Sequence, residues 1–388
     1  MRRAFALVTV VFVLLVVARP CTAQTPGIEP SEGYGYVPDG FASLASATMY
    51  APAPEAQRAT AAYAMPQPEP EYFGDYVGGS GVCWQIQGEF LYIRPSNAEV
   101  AFAQVVDGNV DADAAQIPIG ATGVVTPFYD PGFRVSAARA LGDRAAIGVS
   151  YAYFDTTSYS AVFATDTPNP GANPLVRSLV LHPATPNANN RGDWAYGFEE
   201  IRFHLADVDY KAALIADSRS CLNVIVGARF ASLVQDFNSA VVSQQAPTEL
   251  MYSRVRYDGG GVRLGLEGER QAAGSGFLVY AKGTASFVAG TFRADYSQFT
   301  ELEPFIADAR WKSNRLVTML DFELGAGWSS VDGGLRVTAG WMASGWLNTI
   351  RVADYIRAVQ TSNYDFLDNA WDNALMFDGL VFRAEWRF

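Results

Sequence analysis

The chain has 388 residues, 49% of them hydrophobic and 18% charged, with a formal net charge of −12, figures that a soluble enzyme of one large or two ordinary domains would share. The acidic balance argues against nucleic acid as a partner, because phosphates demand a basic face. The kind of apolar residue says more: 35 Gly, 24 Phe, 19 Tyr and 8 Trp beside two His describe a turn-rich chain of strands.

At the N-terminus, Met1-Arg2-Arg3 precedes an unbroken apolar run from Ala4 to Ala18 and then Arg19-Pro-Cys-Thr-Ala-Gln24. This reads as a secretory signal peptide over residues 1–23, cleaved after Ala23. The run is shorter than the roughly 20 apolar residues of a membrane span, and Arg-Pro before Cys21 is a poor lipoprotein context. Losing Arg2, Arg3 and Arg19 takes the charge from −12 to −15. Residues 24–80 are rich in Pro, Ala, Gly, Tyr and Glu, with Met65-Pro-Gln-Pro-Glu-Pro-Glu71 as the clearest piece. Repeated prolines remove backbone donors, so this segment is expected to be a disordered linker. A peptidoglycan or partner contact is the sharper alternative, without a basic motif to support it. Export permits a disulfide between Cys83 and Cys221, and sequence leaves open whether they come within reach.

After Gly81 the pattern changes to alternation with period two. Trp84, Ile86, Gly88, Phe90 and Tyr92 share one face, and Gln85, Gln87 and Glu89 the other. Phe133, Val135 and Ala137 alternate with Arg134 and Ser136; Ile147, Val149, Tyr151 and Tyr153 with Gly148, Ser150 and Ala152; Ile201, Phe203 and Leu205 with Arg202 and His204. The pattern returns at Leu222–Phe230, Val262–Glu267, Leu320–Leu324 and Leu335–Trp341. Strands of nine or more residues exceed the five or six usual in a soluble sandwich and match the 9 to 11 that cross a bilayer at a tilt. In lipid every amide must be paired, so such a sheet has to close on itself. The expected fold is therefore an all-β transmembrane antiparallel barrel over residues 81–388, in the outer membrane of an exporting cell. A soluble exported sandwich is the competing fold.

The final strand carries the most specific signal. Leu380, Phe382, Ala384, Trp386 and Phe388 lie on one face, with Arg383, Glu385 and Arg387 on the other. An alternating strand ending on an aromatic is the form that the outer-membrane assembly machinery reads, so Leu380, Phe382, Trp386 and Phe388 are the expected assembly signal. Gly88-Glu-Phe-Leu-Tyr-Ile-Arg-Pro-Ser96 after Trp84 resembles the opening strand, roughly GEFLYWRPS, of a family of pore-forming proteins described as major-outer-membrane-protein-like. Tyr129-Asp-Pro-Gly-Phe-Arg134, Gly227-Ala-Arg-Phe230, Gly259-Gly-Gly-Val-Arg-Leu-Gly-Leu-Glu267 and the terminal strand are also similar to that family. The likeness runs from Trp84 to Phe388 and departs at Ile93, where the family usually has Trp. The resemblance implies a pore; the periodicity alone implies a barrel.

About ten firm strands can be counted, and Ala98–Val105, Tyr159–Ala164, Phe292–Phe299 and Val352–Val359 add candidates, giving an even number from 10 to 14 with 12 central. No helix is expected after the signal. The expected loops are Asp107–Thr126, Thr165–Trp194, Gln235–Tyr252 and Gln360–Ala374, with long loops extracellular and one able to fold inward as a constriction. Placing the apolar parity outward sends Arg134, Arg202, Arg229, Arg263, Lys282, Arg336, Arg383 and Arg387 into the lumen with Glu89, Glu267, Asp321, Glu323 and Glu385. That mildly positive set implies weak anion preference or none, unless the charges pair and brace the barrel.

Catalysis has little to stand on. His182 lies in a Pro-rich loop, and His204 is lumen-facing by parity, with the alternation breaking at Asp207. Gly259-Gly-Gly lacks a following GK[ST] and reads as a sheet bend, and no Cys/His cluster has metal spacing. The expectation is a non-enzymatic, cofactor-free, porin-like channel for passive diffusion of small hydrophilic solutes or ions, of undetermined oligomeric state. The alternative is a non-conducting structural or adhesive barrel acting through its loops or Pro-rich segment.

Overall fold

The computed structural model describes residues 84–388, apart from 109–116, 143, 169–172, 184–190, 218, 245–247, 304, 331–332 and 367–372. The signal peptide, the Pro-rich segment and Cys83 lie outside the described residues.

In chain order the strands are β1 (Trp84–Ser96), β2 (Val100–Asp107), β3 (Pro118–Val125), β4 (Asp130–Ala140), β5 (Ala145–Phe163), β6 (Pro174–Ser178) and β7 (Arg191–Gly192). They continue as β8 (Trp194–Ala216), β9 (Ser220–Val242), β10 (Glu249–Gln271), β11 (Phe277–Thr300), β12 (Ala307–Ser329) and β13 (Leu335–Leu347). Helix α1 (Val352–Thr361) and β14 (Leu375–Arg387) follow. Ten strands close an antiparallel barrel in the order β1-β14-β13-β12-β11-β10-β9-β8-β5-β4, and β3-β2-β6-β7 make a separate four-stranded sheet. The seam is β1 on β14, in unbroken register from Gln85 opposite Arg387 to Ser96 opposite Met376. It is finished by two backbone hydrogen bonds in which Trp84 and Phe388 each donate to the other's carbonyl, at 2.9 and 3.0 Å.

Strand heights are unequal. β1, β4, β13 and β14 have 11 to 13 residues, the length of a tilted bilayer crossing. β8 to β12 have 23 or 24, so this side of the wall rises roughly 25 Å further. The short turns and both ends of the described chain sit at the opposite rim. Over the short strands, the chain between β1 and β4 and the chain between β13 and β14 fold inward. Asn97 and Asn348 stand at those two departures with φ of 61° and 62°, a left-handed conformation that Asn tolerates. The first excursion supplies β2 and β3, joined in their sheet by β6 and β7; the second supplies α1.

Ten barrel strands, against the 12 taken as central, follow from where the four extra candidates fall. Ala98–Val105 lies in β2, outside the barrel; Tyr159–Ala164 and Phe292–Phe299 are the upper ends of β5 and β11; Val352–Val359 is helical. In α1 the buried residues Val352, Tyr355, Ile356 and Val359 follow the i, i+3, i+4, i+7 spacing of a helix with one apolar face. The expected loops are also largely ordered: Asp107–Thr126 contains β3, Thr165–Trp194 contains β6 and β7, and Gln235–Tyr252 is mainly the tops of β9 and β10.

The apolar parity switches partway up the wall. On β9, Leu222 to Phe230 point outward, whereas Ala231, Leu233 and Phe237 are buried inside, and the pairing with β10 continues without a break through this point. Below the switch the outer face meets lipid and the inner face carries charge. Above it the outer face meets water and the inner face meets the inserted sheet and helix. Gly259-Gly-Gly sits at the changeover inside β10, whose pairing with β9 and β11 runs through it without a register shift. A Cβ on Gly259 would lie 2.6 Å from the Tyr257 hydroxyl and one on Gly290 2.6 Å from its ring, so these glycines make room for Tyr257 to lie along the wall and donate to the Val288 carbonyl at 2.7 Å.

Candidate functional site

The lumen has three layers. The lowest is ionic. Glu89 is directly opposite Arg134 on one side and Arg383 on the other, and it accepts from both, at 2.7 and 3.0 Å. Arg383 reaches across to Glu323 at 2.5 Å, which also accepts from the Tyr280 hydroxyl at 2.8 Å. Arg229 grips Asp207 with two parallel bonds of 2.8 and 2.9 Å and donates to Asp321 at 2.6 Å. Arg263 pairs with Asp207 at 3.1 Å and with Asp209. Lys211 pairs with Glu267 at 2.7 Å, Arg336 with Glu269 at 2.6 Å and Arg387 with Glu385. Lys282 faces Glu267 and Glu323 across its two neighbouring strands.

The arrangement is a consequence of register: the inward parity of neighbouring strands places opposite charges opposite one another, and side chains this deep must pair to offset their lost hydration. The side chains of Arg383 and Glu89 are only 4% and 1% exposed. Bidentate and charge-assisted bonds tie β8 to β9 and β12, and β1 to β4, β12 and β14, across the barrel interior as well as along its wall.

Above the charges lies an aromatic septum. Phe377 makes edge-on contacts with Phe203 and Phe154, at ring separations of 5.0 and 6.0 Å, and Trp346 stands 5.7 Å from Phe203. The Trp346 indole N–H points to the ionic side, donating to Ser344 at 3.1 Å, and Ser344 in turn donates to Asp321 at 2.6 Å. Between septum and charges is a cavity of about 80 Å³, lined by Glu89, Arg134, Asp207, Arg229, Asp321 and Trp346 among others. That is space for a few waters.

The third layer is the plug. Phe102 and Val105 of β2, Val125 of β3, Val176 of β6 and the apolar face of α1 pack against Leu233, Phe237, Val255, Phe292 and Tyr296 of the tall wall in one buried cluster. Polar side chains key it in place. Gln235 brackets the start of α1, donating to the Ile350 carbonyl at 2.9 Å and accepting from the Val352 amide at 3.3 Å. Tyr355 donates to the Ala294 and Ala309 carbonyls of β11 and β12, and Gln360 to the Leu179 and Leu181 carbonyls beyond β6. In this layer, above the bilayer, Glu199 is buried, with no hydrogen-bond partner among the described residues on either carboxylate oxygen. Burial, and secondarily the nearby Glu99 charge, push its carboxyl well above the usual range.

Of the residues assigned to the lumen by parity, Glu89, Arg134, Arg229, Arg263, Glu267, Lys282, Asp321, Glu323, Arg336, Arg383, Glu385 and Arg387 do face inward and are brought together in the ionic layer. Arg202 is not among them. It lies on the outer face, half-buried, against Asp155 at 3.3 Å, because this part of β8 is above the parity switch and its apolar neighbours Ile201 and Phe203 point inside. His204 is outward for the same reason; its Nδ1 lies 2.7 Å from the Tyr151 hydroxyl. Asp207 and Asp209 are not a strand end: β8 runs on, and both belong to the ionic layer with Lys211 and Glu269. With these added and Arg202 removed, the cations and anions of the ionic layer balance among the described residues, eight against eight, which removes the cationic surplus behind the expected anion preference. Continued parity from Glu267 would have found Glu269. Asp207 was hidden by the switch.

Cys221 is buried and donates to the Asn223 side chain at 3.3 Å. Among the described residues, no group of three His, Cys, Asp or Glu is placed to hold a metal ion.

Residues 80–388 match a family model described as Legionella pneumophila major outer membrane protein precursor. None of the curated proteins matches the chain. Among solved structures, the outer membrane protease OmpT from Escherichia coli is similar at 9% identity over 79% of this chain and 97% of that one, with a TM-score of 0.44. The CymD monoaromatic hydrocarbon channel is similar at 7% identity over 79% and 88%, with a TM-score of 0.28. A Pseudomonas aeruginosa FadL homologue is similar at 8% over 79% and 90%, with a TM-score of 0.21. Likenesses this remote carry no argument about what the lumen does.

Proposed function

We propose, given that this chain belongs to the Legionella major outer membrane protein family and lies in the outer membrane as a multi-pass β-barrel, that it acts as a braced, non-conducting barrel with a structural or surface-presenting role. The observation that carries this is the filled lumen: paired charges below, an aromatic septum, and an apolar plug continuous with the wall. Ten strands enclose little more than side-chain volume, and here that volume is occupied. On this reading the barrel performs no chemical step, its partners are the outer-membrane bilayer and the assembly machinery, and the tall wall is its exposed part.

One observation favours a second reading, a porin-like channel for small hydrophilic solutes. Helix α1 is a single inserted segment with left-handed residues at its approach and exit, Asn348 and Ser362, positions at which a swing out of the lumen would hinge. The ionic layer beneath would then present balanced charge and weak ion preference. Single-channel recording of the purified, refolded protein in a planar bilayer, under a salt gradient, separates the readings. Silence from protein that has inserted supports the braced barrel. Stable conductance steps from the wild type would overturn it in favour of the channel, and the reversal potential would then report the lumen charge.

A further inference from the structure

The outward side chains of the tall wall are ranked in cross-strand rows. The row Phe230, Gly260, Ala289, Leu316, on β9 to β12, is apolar and belongs to the lipid belt. Two residues higher on each strand the row is neutral or acidic, and six residues higher it alternates in sign: Asp236, Arg254, Asp295, Arg310, with Arg254 donating to Asp236. Between them, four residues above the lipid row, stand Arg256, Arg293 and Lys312, each directly opposite the next and all exposed.

Like charges directly opposite one another on a sheet are destabilising, and among the described residues this trio is offset only by one loose, exposed ion pair. Arg293 reaches Asp258 only at 3.6 Å with both side chains largely exposed, and neither Arg256 nor Lys312 forms an ion pair with a described residue. The neighbouring row shows that the same wall accommodates alternating charges. The height of the trio identifies what balances it. Four residues of tilted strand put it about 10 Å above the last apolar row, at the level of the headgroups that flank the hydrocarbon core. Two guanidinium forks and one ammonium side by side suit a phosphate. We propose that Arg256, Arg293 and Lys312 form a binding surface for the phosphate-bearing headgroup of an outer-leaflet lipid, fixing the tall wall to the membrane surface.

The test is titration of the folded full chain in detergent with lipid A, read by native mass spectrometry, with folding checked by the resistance of the barrel to unheated detergent gels. The combined Arg256→Gln, Arg293→Gln and Lys312→Gln variant is expected to bind roughly a hundredfold more weakly. Asp258→Asn, which removes only the nearby acid, is expected to bind more tightly, and it reads the site even if the triple variant assembles poorly. Wild-type binding too weak to detect, or equal binding by wild type and both variants, would overturn the site. Displacement of lipid A by inorganic phosphate at comparable concentration would overturn the lipid as its occupant in favour of a free anion.

Discussion

Arg351 donates through one guanidinium nitrogen to both the side-chain and the backbone oxygen of Asn97, at 2.6 and 3.1 Å. Asn97 stands where the chain leaves β1 for the inserted sheet and Arg351 immediately precedes α1, so one side chain ties the first excursion to the inserted helix. Its remaining nitrogens hold Asp354 in the first turn of α1 at 2.7 and 2.9 Å, beside the electropositive end of the helix.

Arg351→Ala is therefore expected to loosen the plug while leaving the barrel closed. Charge-assisted bonds of this kind contribute about 1.5–3 kcal/mol, so amides of α1 are expected to exchange with solvent roughly ten- to a hundredfold faster, with β9 to β12 unaffected. Hydrogen exchange by mass spectrometry reads this directly, and uniform acceleration over the whole chain would contradict a local lock.

Arg383 separates Glu89 from Glu323. Arg383→Met leaves those two buried carboxylates with Arg134 as the one guanidinium paired with both, and the expected loss is about 3–5 kcal/mol. Adding Glu89→Gln to that variant is expected to recover part of it, because one charge fewer remains to be neutralised. Urea unfolding from lipid vesicles, followed by Trp fluorescence, measures both. Additive losses would mean that the residues do not act as one network.

Septum variants join stability to function. Trp346→Ala removes a fully buried side chain and is expected to cost about 3–5 kcal/mol. It also enlarges the small cavity toward the plug. On the braced-barrel reading, Phe203→Ala with Trp346→Ala is expected to bring flickering conductance to a silent wild type in planar bilayers. Continued silence from inserted protein would place the barrier in the plug alone.

Glu199 gives a pH dependence whose sign follows from its environment. Its carboxyl titrates higher in the folded protein than in the unfolded chain, so the folded state holds the proton more tightly. Its contribution is fully present below the unfolded value and is lost as pH rises from there toward the raised folded value. Glu199→Gln is expected to stabilise the protein at about pH 8, to change little at about pH 4, and to flatten the decline between them. Unfolding midpoints across that range decide it.

The lower barrel was legible in the sequence because one rule governs it. Lipid outside and paired charge inside impose alternation, and Trp84–Tyr92, Leu222–Phe230 and Leu380–Phe388 follow it apart from the inward apolar residues Leu91, Ile225 and Val381. The upper half was not legible by that rule, since the solvents on the two faces exchange places without any irregularity in the strand. Arg202 and His204 were misassigned there, and only the structure shows that Ile201 and Phe203 face a plug. Helix α1 did carry its own signal in Val352, Tyr355, Ile356 and Val359, but Val352-Ala-Asp-Tyr-Ile-Arg-Ala-Val359 is short enough that β-branched and aromatic residues suggest a strand equally well. Asp207 and Asp209 looked like a strand ending because two acids in a membrane strand are tolerable only when Arg229 and Arg263 stand beside them.

The apolar seat of the plug on the tall wall gives the protein a thermal character. Lifting α1 and the inserted sheet away from Leu233, Phe237, Val255 and Phe292 would wet carbon surface, and a transition that wets carbon carries a positive heat capacity. The attraction holding the seat weakens on cooling. Any opening of this barrel is thus favoured by cold, and near room temperature modest warming makes the closure firmer.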